Sequence, residues 1–204
     1  QMTRSLAGFV GTLAIARVLG SGGLGSYTIA VAFTTWISIP TSAISRSVTK
    51  RMSEGHHPRE SIGAGLITQA VAIVTLIGLL AAFRGVLATW VGRDIAPLVA
   101  LLLVGTGTYS IVKGALNGEK RVGLVGVVDA GEQIFRTIVQ VAVLLAGYAV
   151  GGLVLGHAVS LVAMALVGLV VLSVKPAVPT LAQVRDLLEF ARYNWLNVFQ
   201  TRSF

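Results

Sequence analysis

Six long apolar stretches, at 5–19, 26–45, 62–83, 95–115, 122–148 and 152–174, are separated by short polar connections. Every stretch but the first is long enough, at about 1.5 Å per helical residue, to cross about 30 Å of hydrocarbon. Hydrocarbon offers no partner for a backbone N–H or C=O, so such a run must satisfy its own polar groups as a helix. The composition agrees. Only 12% of residues are charged and the mean hydropathy is +0.82, whereas soluble domains carry about 25% charged residues. The expectation is an all-α integral membrane protein of the multi-pass kind. The shortness of the first run fits a chain trimmed at its N-terminus. Periodicity is weak because the runs are buried in both lipid and protein. Gly63, Gly65, Gly105, Gly107 and Gly168 fall inside them, where helices approach closely.

The net charge of +8 is dispersed between the runs, with no basic face carrying interleaved aromatics, so nucleic acid is not an expected partner. Eleven Lys and Arg fall in the connections on one side (Arg4; Arg46, Lys50, Arg51, Arg59; Lys113, Lys120, Arg121; Lys175, Arg185, Arg192) and three on the other (Arg17, Arg84, Arg93). That bias predicts a cytoplasmic N-terminus in a cell membrane. Trp90 and Tyr148 near the outer ends, and Tyr193 and Trp195 near an inner one, suit interfacial belts. With no cysteine, disulfides and thiolate metal sites are impossible. His56 and His57 lack further ligands at metal spacing, so no metal is expected, and no motif calls for a cofactor or for enzymatic chemistry. After Val174 the texture changes to "KPAVPTLAQVRDLLEF", with Pro176 and Pro179 followed by charges at helical spacing, and then "ARYNWLNVFQTRSF". The organisation expected is a six-helix lobe over 1–174, a cytoplasmic linker over 175–186 and the start of a seventh helix, in a second lobe, over 187–204.

Between the first two runs lies "ARVLGSGGLGSY", in which Gly20, Gly22 and Gly25 form G-x-G-x-x-G. A dinucleotide loop of that pattern needs a preceding strand and an acid about 20 residues on. Here apolar helices flank the glycines and the region of Ser45 to Arg51 is basic, so a tight turn between two helix ends is expected instead.

The fifth run carries Asp129, Glu132 and Arg136. A helix starting at Val122 places them roughly 10, 15 and 21 Å along its axis. Each costs at least about 2.5 kcal/mol in hydrocarbon, so they face protein or a watery cavity unless 122–133 lies at the surface and the span begins near Ile134. Glu132 and Arg136 can pair at i, i+4. Arg46 is expected to end the second helix and Lys113 the fourth, opposing the helix dipole or snorkelling to the interface. Pro40 is expected to kink the second span. His157 is read as a polar residue near the outer end of the sixth.

"ARVLGSGGLGSYTIA" resembles the first-to-second helix turn of polysaccharide-exporting flippases, with Ala16, Arg17, Leu19, Gly20, Gly25 and Tyr27 matching and Ser21-Gly22 replacing the usual Pro-Glu. "SRSVTKRMSEG" and "GALNGEKRVGLVGVVDAGEQIFRTIVQVAVLL" resemble the same family, the multidrug/oligosaccharidyl-lipid/polysaccharide exporter superfamily, so the likeness spans essentially the whole chain. It implies one six-helix lobe of a two-lobed fold of about twelve to fourteen helices that works by alternating access. It further implies transport of a lipid-linked oligosaccharide or polysaccharide precursor, with the bilayer and polysaccharide assembly enzymes as partners. In that reading Asp129, Glu132 and Arg136 form a polar wall of the substrate cavity. Arg46, Lys113, Arg4 and Arg202 meet the phosphate at its cytoplasmic mouth, and Arg17, Gly20 and Gly25 shape the turn. A cation-coupled multidrug antiporter of the same superfamily, which needs an intramembrane carboxylate, is the rival reading. A non-transporting scaffold or truncated fragment is the other.

Overall fold

The computed structural model describes residues 2–55, 57–92 and 94–202, with side chains at 17, 20, 22–55, 57–92 and 94–192. Among the described residues eight helices follow one another: α1 (Met2–Ile37), α2 (Ile39–Ser53), α3 (Pro58–Ala82), α4 (Arg84–Val91), α5 (Ala96–Gly118), α6 (Val122–Leu145), α7 (Val150–Val171) and α8 (Leu181–Arg202). Among the described residues α3, α5 and α7 are each long and apolar enough to cross a membrane, and Gly22–Ile37 with Ile39–Ser53 makes a fourth candidate, bent by 54°. α6 matches them in length, but carries Asp129, Glu132 and Arg136 in its middle.

Two breaks give the first third of the chain its path. The loop expected over Gly20 to Gly25 is narrower than the glycine pattern suggested: α1 kinks at Gly20 alone (φ 67°, ψ −176°), while Gly22 and Gly25 are helical. A left-handed φ at one glycine is enough to turn the chain, and the apolar residues on either side remain good helix formers. The second break is at Ser38, where Pro40 occupies the first turn of α2. Proline cannot donate to the carbonyl four residues earlier, so the helix bends there as expected of it. α2 then continues to Ser53, past the end expected at 45, because Lys50 and Arg51 in its last turn oppose the dipole. Arg46 is consequently in mid-helix, and Lys113 likewise precedes the end of α5 by more than a turn.

α5 is the hub of the bundle, packed most heavily on α7 and α2. Glycines let the backbones meet. A Cβ on Gly105 would stand 3.1 Å from the Ala158 carbonyl oxygen of α7, and one on Gly114 2.6 Å from the Ser45 carbonyl oxygen of α2. Across that second contact Ser45 Oγ donates to the Ser110 carbonyl (2.5 Å) and Thr49 Oγ1 to that of Gly114 (2.9 Å). One core cluster, with Val48, Ile62, Ile111, Leu116, Leu161 and Leu187, fills the half near Lys50 and Arg51, called here the basic end. A second, with Leu80, Ile95, Val99, Leu102, Leu103 and Val154, fills the opposite half.

At the basic end, side chains satisfy the carbonyls that a helix terminus leaves open. Lys175 Nζ donates to those of Leu169 and Val170 (3.1 and 2.9 Å), and Arg121 Nη1 to that of Val171 (2.6 Å). Glu119 accepts from the N–H of Val174 (2.8 Å). The connection then crosses α3, where the Ala177 N–H donates to the Arg59 carbonyl (3.0 Å) and a Cβ on Gly63 would fall onto the Ala177 carbonyl oxygen. The linker expected over 175–186 is helical from Leu181 onward. α8 packs on α2 and α3. Arg51 Nη2 donates to Asp186 (2.6 Å), Lys50 sits 4.1 Å from the Phe190 ring centre, and Leu187 is buried.

At the opposite end the corner between α4 and α5 is fixed by Asp94, which accepts from Arg84 Nε (2.7 Å) and from the Ala96 N–H (3.2 Å). The Arg84 bond, ahead of that from Ala96, holds the Asp94 carboxyl below its ordinary range. A carboxylate with a depressed pKa contributes stability above its unfolded pKa and loses it as pH falls through the folded value. Amide protection over 84–92, taken relative to the intrinsic exchange rate at each pH, is therefore expected to hold down to about pH 4 and to fall in more acidic buffer. Arg84→Ala should quicken exchange at neutral pH and flatten that dependence.

Candidate functional site

The polar residues of α6 recur at helical spacing. Asp129, Glu132, Gln133, Arg136 and Gln140 lie on one stripe covering about 16 Å of the axis at 1.5 Å per residue. Glu132, Gln133 and Gln140 are buried, Asp129 and Arg136 nearly so. α6 is a single unbroken helix with Val125 and Val128 buried and Val122 and Val127 exposed.

Two linked groups form along this stripe. Nearer the basic end, Asp129 accepts from Tyr109 Oη (2.6 Å) and Lys113 Nζ (2.9 Å), two residues one turn apart on α5. Farther along, Arg136 Nε lies 3.5 Å from Glu132 Oε1, and its other nitrogens donate to Gln133 Oε1 and to His157 Nε2 on α7 (2.7 Å). Arginine has no acceptor, so His157 Nε2 must accept, which leaves the proton on Nδ1. Nδ1–H then donates to Tyr27 Oη in α1 (3.0 Å), and Gln140 Nε2 donates to the same oxygen (3.0 Å) and to the Leu153 carbonyl (3.2 Å). Three helices are thus tied through groups that hydrocarbon would otherwise penalise.

Of the residues singled out from sequence, Asp129, Glu132, Arg136 and Lys113 stand on this assembly. Lys113, five residues before the end of α5, is paired with Asp129. Arg46 is exposed on α2 and outside it, and Arg17 is exposed just before the Gly20 kink. Arg4 and Arg202 belong to α1 and α8, but their side chains lie outside the described residues. His56 lies outside them as well. No group of three His, Cys, Asp or Glu able to hold a metal occurs among the described residues.

Sequence reading did not place His157, Tyr27, Tyr109, Gln133 or Gln140 in this site. The glutamines were discoverable, because they continue the stripe of Glu132 and Arg136. Tyr27 had been absorbed into the glycine turn. It meets His157 across 130 positions of sequence.

The Asp129–Lys113 pair yields a direct test. Asp129→Asn and Lys113→Met should each destabilise the protein by removing the charge partner of the other group, while the double variant loses less than the sum. The expected coupling is about 1–2 kcal/mol, discounted for the partial exposure of Lys113. Additive losses would show that the pair does not act as one.

Comparison with known proteins follows the same lines. No family model matches the chain. The chain is 27% identical, over 207 residues and its whole length, to the probable flippase AglR of Haloferax volcanii. It is 29% identical over 116 residues, 56% of its length, to the probable low-salt glycan biosynthesis flippase Agl15 of the same organism. The matched parts make up 43% of AglR and 25% of Agl15, so the chain spans less than half of the curated relatives it matches. A MATE protein solved in complex with MaD3S superposes on 95% of the chain with a TM-score of 0.75 at 15% identity, using 49% of its own length. The fold is that of about half a MATE transporter, and the expected likeness to flippases of the superfamily is borne out.

Proposed function

We propose that this chain forms the first lobe of a flippase that carries a lipid-linked oligosaccharide across the cell membrane by alternating access. In this reading residues 1–174 are the lobe, 175–186 the cytoplasmic linker and 187–204 the beginning of a second lobe, with the N-terminus and the basic end cytoplasmic. The partners are the bilayer, the lipid-linked sugar and polysaccharide assembly enzymes, and the protein moves its substrate without altering it.

The observation that carries the proposal is that both carboxylates within the spans, Asp129 and Glu132, are engaged by cations of the chain itself, Lys113 and Arg136. A cation-coupled antiporter needs a carboxylate that exchanges its proton or sodium. Paired charges instead make a wall that carries hydrogen-bonding groups with little net charge, which suits sugar hydroxyls. The likeness to AglR and Agl15 supports the same choice.

Deleting the gene should make the lipid-linked oligosaccharide accumulate on the cytoplasmic side, with glycan transfer outside lost and drug sensitivity unchanged. Drug hypersensitivity with normal glycan transfer would establish the antiporter instead.

A further inference from the structure

Between α2, α3 and α8 lies an open groove of about 450 Å³, within the range of small-molecule pockets of roughly 300–1,000 Å³. Ile44, Ile67, Val71, Val184 and Leu188 give it an apolar lining, and its one charged residue is Arg192. Two polar groups on the groove have no partner among the described residues. Arg192 is exposed and makes no hydrogen bond or ion pair there. Thr68 is only 6% exposed, lines the groove, and its Oγ1 is buried without a hydrogen bond. Other threonines in these helices return the hydroxyl to the carbonyl four residues back, as Thr75 does to Val71 (2.9 Å) and Thr108 to Val104 (2.7 Å). Thr68 is left with an unused donor buried in the wall of the groove.

The depth of these groups suits an anionic lipid. Asp186 is held by Arg51 at the basic end, and Arg192 lies six residues farther along α8, about 9 Å deeper. That is close to the boundary between headgroups and hydrocarbon, which an arginine side chain can span. From Ile67 to Leu76 the α3 wall runs about 13 Å farther toward the opposite end. A guanidinium on an apolar trough whose α3 wall runs on past it matches a phosphate followed by a single hydrocarbon chain.

We propose that the groove binds the phosphate and the first carbons of the hydrocarbon chain of the substrate's lipid carrier, with phosphate oxygens accepting from Arg192. This rests on the flippase reading above and adds the place where the carrier is held.

The test uses the full-length protein in membrane vesicles and a photoactivatable diazirine polyisoprenyl phosphate, with labelled peptides identified by mass spectrometry. Labelling is expected on 58–82 and 181–192. It should fall by about tenfold in Arg192→Ala, the loss of one charge-assisted hydrogen bond, and also in Val71→Trp, which fills the trough. Arg192→Lys should keep part of it. Equal labelling by a diazirine phosphatidylglycerol would overturn the proposal in favour of a general lipid cleft. Unchanged labelling in Arg192→Ala and Val71→Trp would overturn it outright. Labelling is read without transport, so the two readings fail separately. Normal export with no groove labelling removes only the groove, and specific labelling without glycan export removes only the flippase reading.

Discussion

Arg136→Leu is expected to destabilise the protein by about 3 kcal/mol, because it removes the cation paired with the buried Glu132. Glu132 would lose its cation, and His157 and Gln133 a donor each. The double variant Glu132→Gln with Arg136→Leu should regain most of the loss, since replacing both members of such a pair is often close to neutral. Export should not follow stability. If the α6 stripe walls the sugar site, the double variant stays at least about tenfold below wild type, the equivalent of about 1.4 kcal/mol. A double variant that is both stable and fully active would make the network a packing device only. Thermal midpoint in detergent and export in cells, measured on the wild type and both variants, separate these results.

Gly114→Leu is the second large effect expected. The added side chain would begin 2.6 Å from the Ser45 carbonyl oxygen, an atom of the α2 backbone that cannot rotate away. α2 would have to leave α5, breaking the bonds from Ser45 to Ser110 and from Thr49 to Gly114. Overpacking of this kind costs about 1–3 kcal/mol, with the two hydrogen bonds about 1 kcal/mol each in addition. Gly22→Leu, where a Cβ meets nothing within 4 Å, is the matched control and should change little. Equal expression and melting of the two variants would contradict the packing described for α2 and α5.

The helices were legible because the bilayer leaves an apolar run so few choices: the runs at 95–115, 122–148 and 152–174 became α5, α6 and α7 with ends shifted by a few residues. The bend near Pro40 was legible for the same local reason. α4 was not foreseen, since eight residues between two spans carry no periodic signal of their own. Nor was the length of α2, whose basic last turn reads equally well as a loop. The site divides in the same way. Asp129, Glu132 and Arg136 stood out because each is costly in hydrocarbon whatever surrounds it. His157, Tyr27 and Tyr109 are polar enough to notice and mild enough to lie anywhere, and only tertiary packing brings them to α6.

The most direct measurement is flipping of a fluorescent lipid-linked oligosaccharide by purified full-length protein in proteoliposomes, read as the fraction of sugar that becomes accessible to an external reagent. Wild-type protein should move the lipid-linked sugar and the Glu132→Gln, Arg136→Leu protein should not, with a lipid lacking the sugar moved by neither. Equal movement by both proteins, or none by the wild type alongside proton-driven transport of a cationic drug, would contradict the role assigned to this lobe.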